Sequence, residues 1–221
     1  MEKEVKPLKA QIDAKIEAGR KGNPSFMKGV DDIIKQAKAF EQGLDALSIG
    51  QQAPDFELPN PQGELVSLAH LLAKGPVVVT FYRGSWCPYC NLQLRALQAR
   101  LADIKALGAE LVAISPQVPD DSLSEDEISK MEFSVLSDQD AKVASKYGVA
   151  WEVPEFLLDH MRTDRQLDLE SINNGNANIL PIPATFVINK DAEVTWRFVD
   201  VDYRYRSEPE DIIQALHTLV N

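Results

Sequence analysis

Cys87 and Cys90 are the only thiols in 221 residues, and only Pro88 and Tyr89 stand between them. Two thiols at this spacing can close a disulfide, hold half of a metal site, or attack an electrophile as a thiolate. A zinc site needs two further ligands, and His70, His160 and His217 fall in no paired-ligand spacing, so neither a metal nor any other cofactor is expected. The N-terminus, MEKEVKPLKAQIDAKIEAG, is charged throughout and has no apolar signal core, which predicts a cytoplasmic protein. That compartment is reducing and disfavours structural disulfides, so a reactive pair is the expectation.

The elements around the pair fit that expectation. Val77–Tyr82 is a continuous apolar and β-branched run, the pattern of a strand covered on both faces. Arg83–Trp86 then reads as a loop, and Cys87 falls at or just before a first helical turn. Leu94, Leu97, Leu101 and Ile104 carry that helix to Gly108, and Leu111–Ile114 forms the next strand. Backbone N–H groups at a helix start lack intrahelical acceptors and the helix dipole favours negative charge there, so Cys87 is predicted to be the more acidic and accessible thiol. Cys90 lies one turn inside and beneath it. Pro88 suits the first turn, where its missing N–H costs no helical hydrogen bond. Trp86 and Tyr89 either rim the thiols or pack on the domain surface.

The rest of the chain divides at residue 48. Residues 1–48 read as a helical extension: Leu8, Ile12 and Ile16 form one stripe, Asn23 and Pro24 offer an N-cap and a first-turn proline, and Phe26, Val30, Ile33, Ile34, Ala37 and Phe40 form a second stripe. Residues 49–221 read as one α/β domain with a mixed sheet flanked by helices. Within it a hairpin turns around Pro61–Gly63, Ser124–Met131 is a short helix, Phe133–Leu136 a strand, and Asp140–Tyr147 a helix ending at Gly148. The aperiodic stretch Trp151–Leu180 is expected to insert over the core or near the site. Thr185–Ile188 and Val194–Val199 form a hairpin, and a last helix starts at Ser207, with Glu210 completing a capping box.

The formal charge is −11. Residues 1–48 hold nine Lys and Arg against eight Asp and Glu, so the other 173 residues carry −12. That surface repels nucleic acid, and no basic amphipathic stripe or long apolar run suits a membrane. No Gly-rich phosphate loop is present.

FYRGSWCPYC followed by a Leu-rich helix, together with PATFVI and DYRYRSEPEDI near the C-terminus, resembles the peroxiredoxin-like branch of the alkyl hydroperoxide reductase/thiol-specific antioxidant family, within the thioredoxin-like superfamily. The resemblance covers residues 48–221 and implies a thioredoxin-like fold. It also implies that Cys87 is the peroxidatic cysteine and that Cys90 resolves its sulfenic acid as an intramolecular disulfide. The partners it implies are a hydroperoxide substrate and thioredoxin or a similar dithiol reductant, with a homo-oligomer as a further possibility.

The departures from that family's pattern are specific. Its proline seven residues before the catalytic cysteine is Thr80 here, and its Thr or Ser three residues before is Gly84. Ser85 either donates to the site in its place or is an ordinary loop serine. The family arginine before the TF strand is absent, since Ile182 and Pro183 occupy that place. Arg83 is near in sequence and Arg197 is on an adjacent strand, yet a solvated surface role is the expectation for both. Pro183 resembles the cis-proline of thioredoxin-like folds, against a plain turn as the simpler reading. A thiol-dependent peroxidase is the function expected, with disulfide exchange on proteins or a redox-sensing module as alternatives.

Overall fold

The computed structural model describes residues 6–118 and 131–220. The central sheet has five strands in the order β5–β4–β3–β8–β9, formed by β3 (Val77–Phe81), β4 (Glu110–Ser115), β5 (Ser134–Ser137), β8 (Ala184–Ile188) and β9 (Val194–Val199). β3, β4 and β5 run parallel, while β8 is antiparallel to both β3 and β9. Every residue of β3 and β8 is buried, as their unbroken apolar runs require of strands covered on both faces. Before the sheet, β1 (Glu57–Pro59) and β2 (Leu65–Ser67) form the expected hairpin, followed by α3 (Leu68–Leu72), which Ser67 caps.

The crossover from β3 to β4 is the predicted helix broken in two, α4 (Pro88–Ala99) and α5 (Leu101–Ala106), with Arg100 outside helical geometry between them. After β5, a 3₁₀ turn at Gln139–Ala141 leads into α6 (Lys142–Lys146), and Gly148 at φ +69° ends the segment as predicted. The expected helix over Ser124–Met131 lies, but for Met131, outside the described residues.

The aperiodic stretch has more structure than its pattern revealed. β6 (Ala150–Glu152) pairs with β7 (Ile179–Pro181), and between them stand α7 (Glu155–Asp159), a π-turn at His160–Asp164 and α8 (Leu169–Asn173). Strands and helices this short carry too few residues for a period to emerge. The last helix, α9 (Pro209–Val220), begins two residues later than the capping box predicts. The Ser207 hydroxyl is buried without a partner among the described residues, and the Glu210 carboxylate pairs with Arg100.

α1 (Leu8–Gly22) and α2 (Pro24–Ala39) match the two stripes, with Asn23 accepting from the Phe26 N–H at 3.1 Å and Pro24 opening the second helix. Leu8, Ile12, Ile16, Met27, Val30, Ile34 and Ala37 are buried in the same apolar cluster as the sheet, so these helices pack on the main body. Phe40 departs from its predicted stripe: it follows the end of α2 and is 77% exposed. The connector after it runs along β9, where Arg197 donates to the carbonyls of Ala46 and Leu47 at 2.5 and 2.7 Å. No helix among the described residues is long and apolar enough to cross a membrane.

Candidate active site

β3 delivers the chain to the site, and the turn at its end sets the thiols. Gly84 has φ +144°, and a Cβ there would lie 2.3 Å from Trp86 Nε1, so only glycine lets the loop fold back this tightly. The Thr or Ser usual in the resembling family has no room here. Cys87 follows as the N-cap of α4 with Pro88 at the first helical position, and its carbonyl accepts from the Asn91 N–H at 3.1 Å. Both thiols are reduced and free.

Cys87 is 1% exposed and Cys90 fully buried, which corrects the expectation of an accessible first cysteine. Cys87 is reached through a cavity of about 410 Å³ instead. Its walls are Trp86, Pro88, Tyr89, Leu157, Met161 and Tyr203 together with Phe26 and Met27 from α2, and the exposed cations Lys15 and Arg165 belong to its lining. No carboxylate among the described residues lines it, although the chain as a whole carries −11.

Arg83 is the largest correction to the sequence reading. It is 4% exposed, not solvated, and its guanidinium lies 4.3 Å from the Tyr203 ring centre and 5.0 Å from that of Trp86. Its Nη2 meets Met161 Sδ at 3.9 Å, and its Nε is buried with no partner among the described residues. Burial pushes the Cys87 thiol up, but the hydrogen bond from Cys90 and the charges of Arg83 and Arg206 more than offset this and hold it well below the usual thiol range. Burial and the neighbouring Cys87 push the Cys90 thiol well above that range. The two thiols thus form an ordered pair, one poised as a thiolate and the other as its proton-bearing neighbour.

The remaining predicted site residues separate. Ser85 is committed to Gln117, through its N–H at 2.9 Å and its hydroxyl at 3.1 Å, so it does not serve the thiol. Trp86 and Tyr89 are rim residues, and Tyr89 meets Tyr203 edge-on at 6.2 Å. Arg197 is occupied by the connector carbonyls and takes no part in the cavity. Pro183 is buried between β7 and β8, outside the cavity lining, and every peptide bond among the described residues is trans, so the cis-proline expectation is not met.

Two residues at the site were not predicted for it, although His160 was weighed as a metal ligand and Arg206 lies within DYRYRSEPEDI. His160 faces the cavity, bonded to Asp164 at 2.6 Å and stacked on Phe26 with ring centres 3.6 Å apart. Arg206, 6% exposed, places Nη2 at 2.9 Å from Cys90 Sγ. Arg206 lies 116 positions from Cys90 in the chain, beyond the reach of any local pattern.

Three comparisons with known proteins bear on this arrangement. Residues 49–197 match the model of the AhpC/TSA family. The putative peroxiredoxin bcp of Haemophilus influenzae is 34% identical over 114 residues, 52% of this chain and 72% of that protein. Peroxiredoxin Bcp of Escherichia coli is 31% identical over 114 residues with the same coverage of both chains. In fold, the chain resembles the crystal structure of peroxidoxin BcpB from Mycobacterium tuberculosis, with a TM-score of 0.60 and 22% identity over 78% of this chain and 98% of that one. With the family model spanning well over half of its residues on a thioredoxin-like sheet, the chain belongs to the AhpC/TSA family and is a thiol-dependent peroxidase of the peroxiredoxin type.

Proposed function

We propose that the protein reduces hydrogen peroxide and organic hydroperoxides at Cys87, that Cys90 resolves the product as an intramolecular disulfide, and that thioredoxin or a similar dithiol restores the pair. The Cys87 thiolate attacks one peroxide oxygen, the O–O bond breaks, and the departing oxygen takes a proton as water or alcohol, leaving a sulfenic acid. Cys90 then loses its proton and attacks the Cys87 sulfur. The S–O bond breaks and hydroxide leaves as water with that proton, so the peroxide gains two electrons and the thiol pair loses two.

The observation that carries this reading is Cys87 at the start of α4, buried in the lining of a cavity that holds Arg83 as well, with its thiol well below the usual range. The cation supports both the thiolate and the negative charge that develops on the leaving oxygen. Burial weighs against disulfide exchange on folded proteins, since a hydroperoxide enters the cavity and a folded partner does not. The same burial requires the first turn of α4 to loosen before a protein dithiol reaches the oxidised pair.

Single-turnover oxidation tests the proposal. Trp86 adjoins Cys87, so intrinsic fluorescence of the reduced protein should change on mixing with peroxide, at a rate far above that of a free low-molecular-weight thiol. Cys87→Ser should remove the reaction entirely. Oxidation no faster than the free thiol, or rapid reduction of insulin disulfides in its place, overturns the peroxidase assignment.

A further inference from the structure

Arg206 is a buried cation with an unusual set of partners. Its Nε donates to Gln93 Oε1 at 2.7 Å, its Nη1 to the carbonyls of Tyr203 and Tyr205 at 2.7 and 2.5 Å, and its Nη2 to Cys90 Sγ at 2.9 Å. Among the described residues no carboxylate pairs with it, so the group in direct contact that can become an anion is Cys90. A guanidinium stays charged at any working pH, and a buried one without a counter-ion favours ionisation of whatever acid it touches.

The cation is held in place from the sheet. Gln93 Nε2 donates to Thr80 Oγ1 at 3.1 Å and to Thr185 Oγ1 at 3.3 Å, and the two hydroxyls lie 2.9 Å apart between β3 and β8. Thr80, Gln93 and Thr185 are all fully buried or nearly so. Thr80 occupies the position where the resembling family carries proline, a residue with neither a hydroxyl nor an N–H to give. The substitution therefore has a structural use in this chain, since it anchors the side chain that orients Arg206.

We infer that Arg206 is the positioning residue of the resolving step, held by the Thr80–Gln93–Thr185 network so that the Cys90 thiolate forms against its guanidinium once Cys87 has become a neutral sulfenic acid. This rests on the proposed peroxidase cycle. In the resting protein the surroundings favour ionisation of Cys87 over that of Cys90. Oxidation of Cys87 removes its charge, the guanidinium remains 2.9 Å from Cys90, and the anion passes to the thiol that must attack next. Cys90 gives up its proton, the S–S bond forms as the S–O bond breaks, and the proton leaves in water.

Cys87→Ser imitates the neutral first position and isolates this step from peroxide chemistry. The thiolate absorbance of Cys90 in that variant should titrate below the midpoint of an ordinary thiol. In Cys87→Ser combined with Arg206→Gln the midpoint should rise by about one pH unit or more, and Arg206→Lys, which keeps the charge, should recover much of the difference. A midpoint at or above that of an ordinary thiol in Cys87→Ser alone overturns the inference, even if the Arg206→Gln protein fails to fold. Stopped-flow oxidation separates it from the underlying reading. Arg206→Gln on the native cysteine pair should slow conversion of sulfenic acid to disulfide about tenfold at neutral pH, with sulfenic acid trapped by dimedone. An unchanged second phase removes the role of Arg206, whereas the absence of a first phase in the unmodified protein removes the peroxidase.

Discussion

At Cys87, two cations and one backbone donor act on one sulfur: Arg83 in the same cavity, Arg206 behind Cys90, and the Cys90 N–H in the first turn of α4. Reaction with peroxide follows the thiolate fraction. Because the folded protein lowers the acidity midpoint of Cys87, the rate should be flat through neutral pH and fall only in acid. Arg83→Gln removes one of the offsetting charges, so the falling limb should move to higher pH by about one unit, as measured by stopped-flow oxidation over a pH series. A profile that keeps its midpoint would leave Arg83 as a packing residue. The Cys87–Cys90 pair stood out as a candidate from its place between an apolar strand and a Leu-spaced helix. Arg83 was not, because an arginine in a four-residue loop reads as solvated until Tyr203, 120 positions away, closes over it.

At the scale of elements, the turn into α4 and the clamp on the N-terminal helices show what local pattern can and cannot supply. Gly84→Thr would restore the residue type of the resembling family, yet at φ +144° and against Trp86 it should destabilise the protein by about 1–3 kcal/mol, read from urea unfolding. An unchanged midpoint would mean that the loop relaxes freely. The helices and the positions of the main strands along the chain followed from periodicity and from Asn23, Pro24 and Gly148. β6, β7 and α8 did not, since each is three to five residues long and is specified by tertiary pairing. The clamp is equally non-local. Glu208 accepts from the N–H groups of Leu8 and Lys9 at 2.9 and 2.7 Å, and Arg204, held on both oxygens of Asp202, meets Asp31 of α2 at 2.7 Å as an ion pair. Burial raises the Asp31 carboxyl, but Arg204 and Arg20 more than offset this and keep it below the usual range. Its contribution is therefore present above the unfolded midpoint and lost as pH falls through the folded one. Asp31→Asn should lower Tm at neutral pH, and the gap should close in acid. A gap that stays constant with pH would assign the loss to packing.

At the scale of the whole molecule, the apolar cluster runs without a break from Ile12 and Val30 to the sheet. A single cooperative unfolding transition is expected, and Ile12→Ala, at a site with 0% exposure, should shift that whole transition by about 2–5 kcal/mol. A separate early transition for the mutant would show that α1 and α2 unfold on their own. The stretch shared with the AhpC/TSA family, residues 49–197, includes Arg83, Cys87 and Cys90. Phe26, Met27, Tyr203 and Arg206 all lie beyond it. The cavity at Cys87 is thus walled from both sides of that boundary, by Trp86, Leu157 and Met161 within it and by Phe26, Met27 and Tyr203 outside it. A chain cut back to residues 49–197 would therefore keep both thiols yet lose one wall of the cavity and the guanidinium at Cys90, so the span shared with relatives is smaller than the unit that surrounds the sulfur atoms.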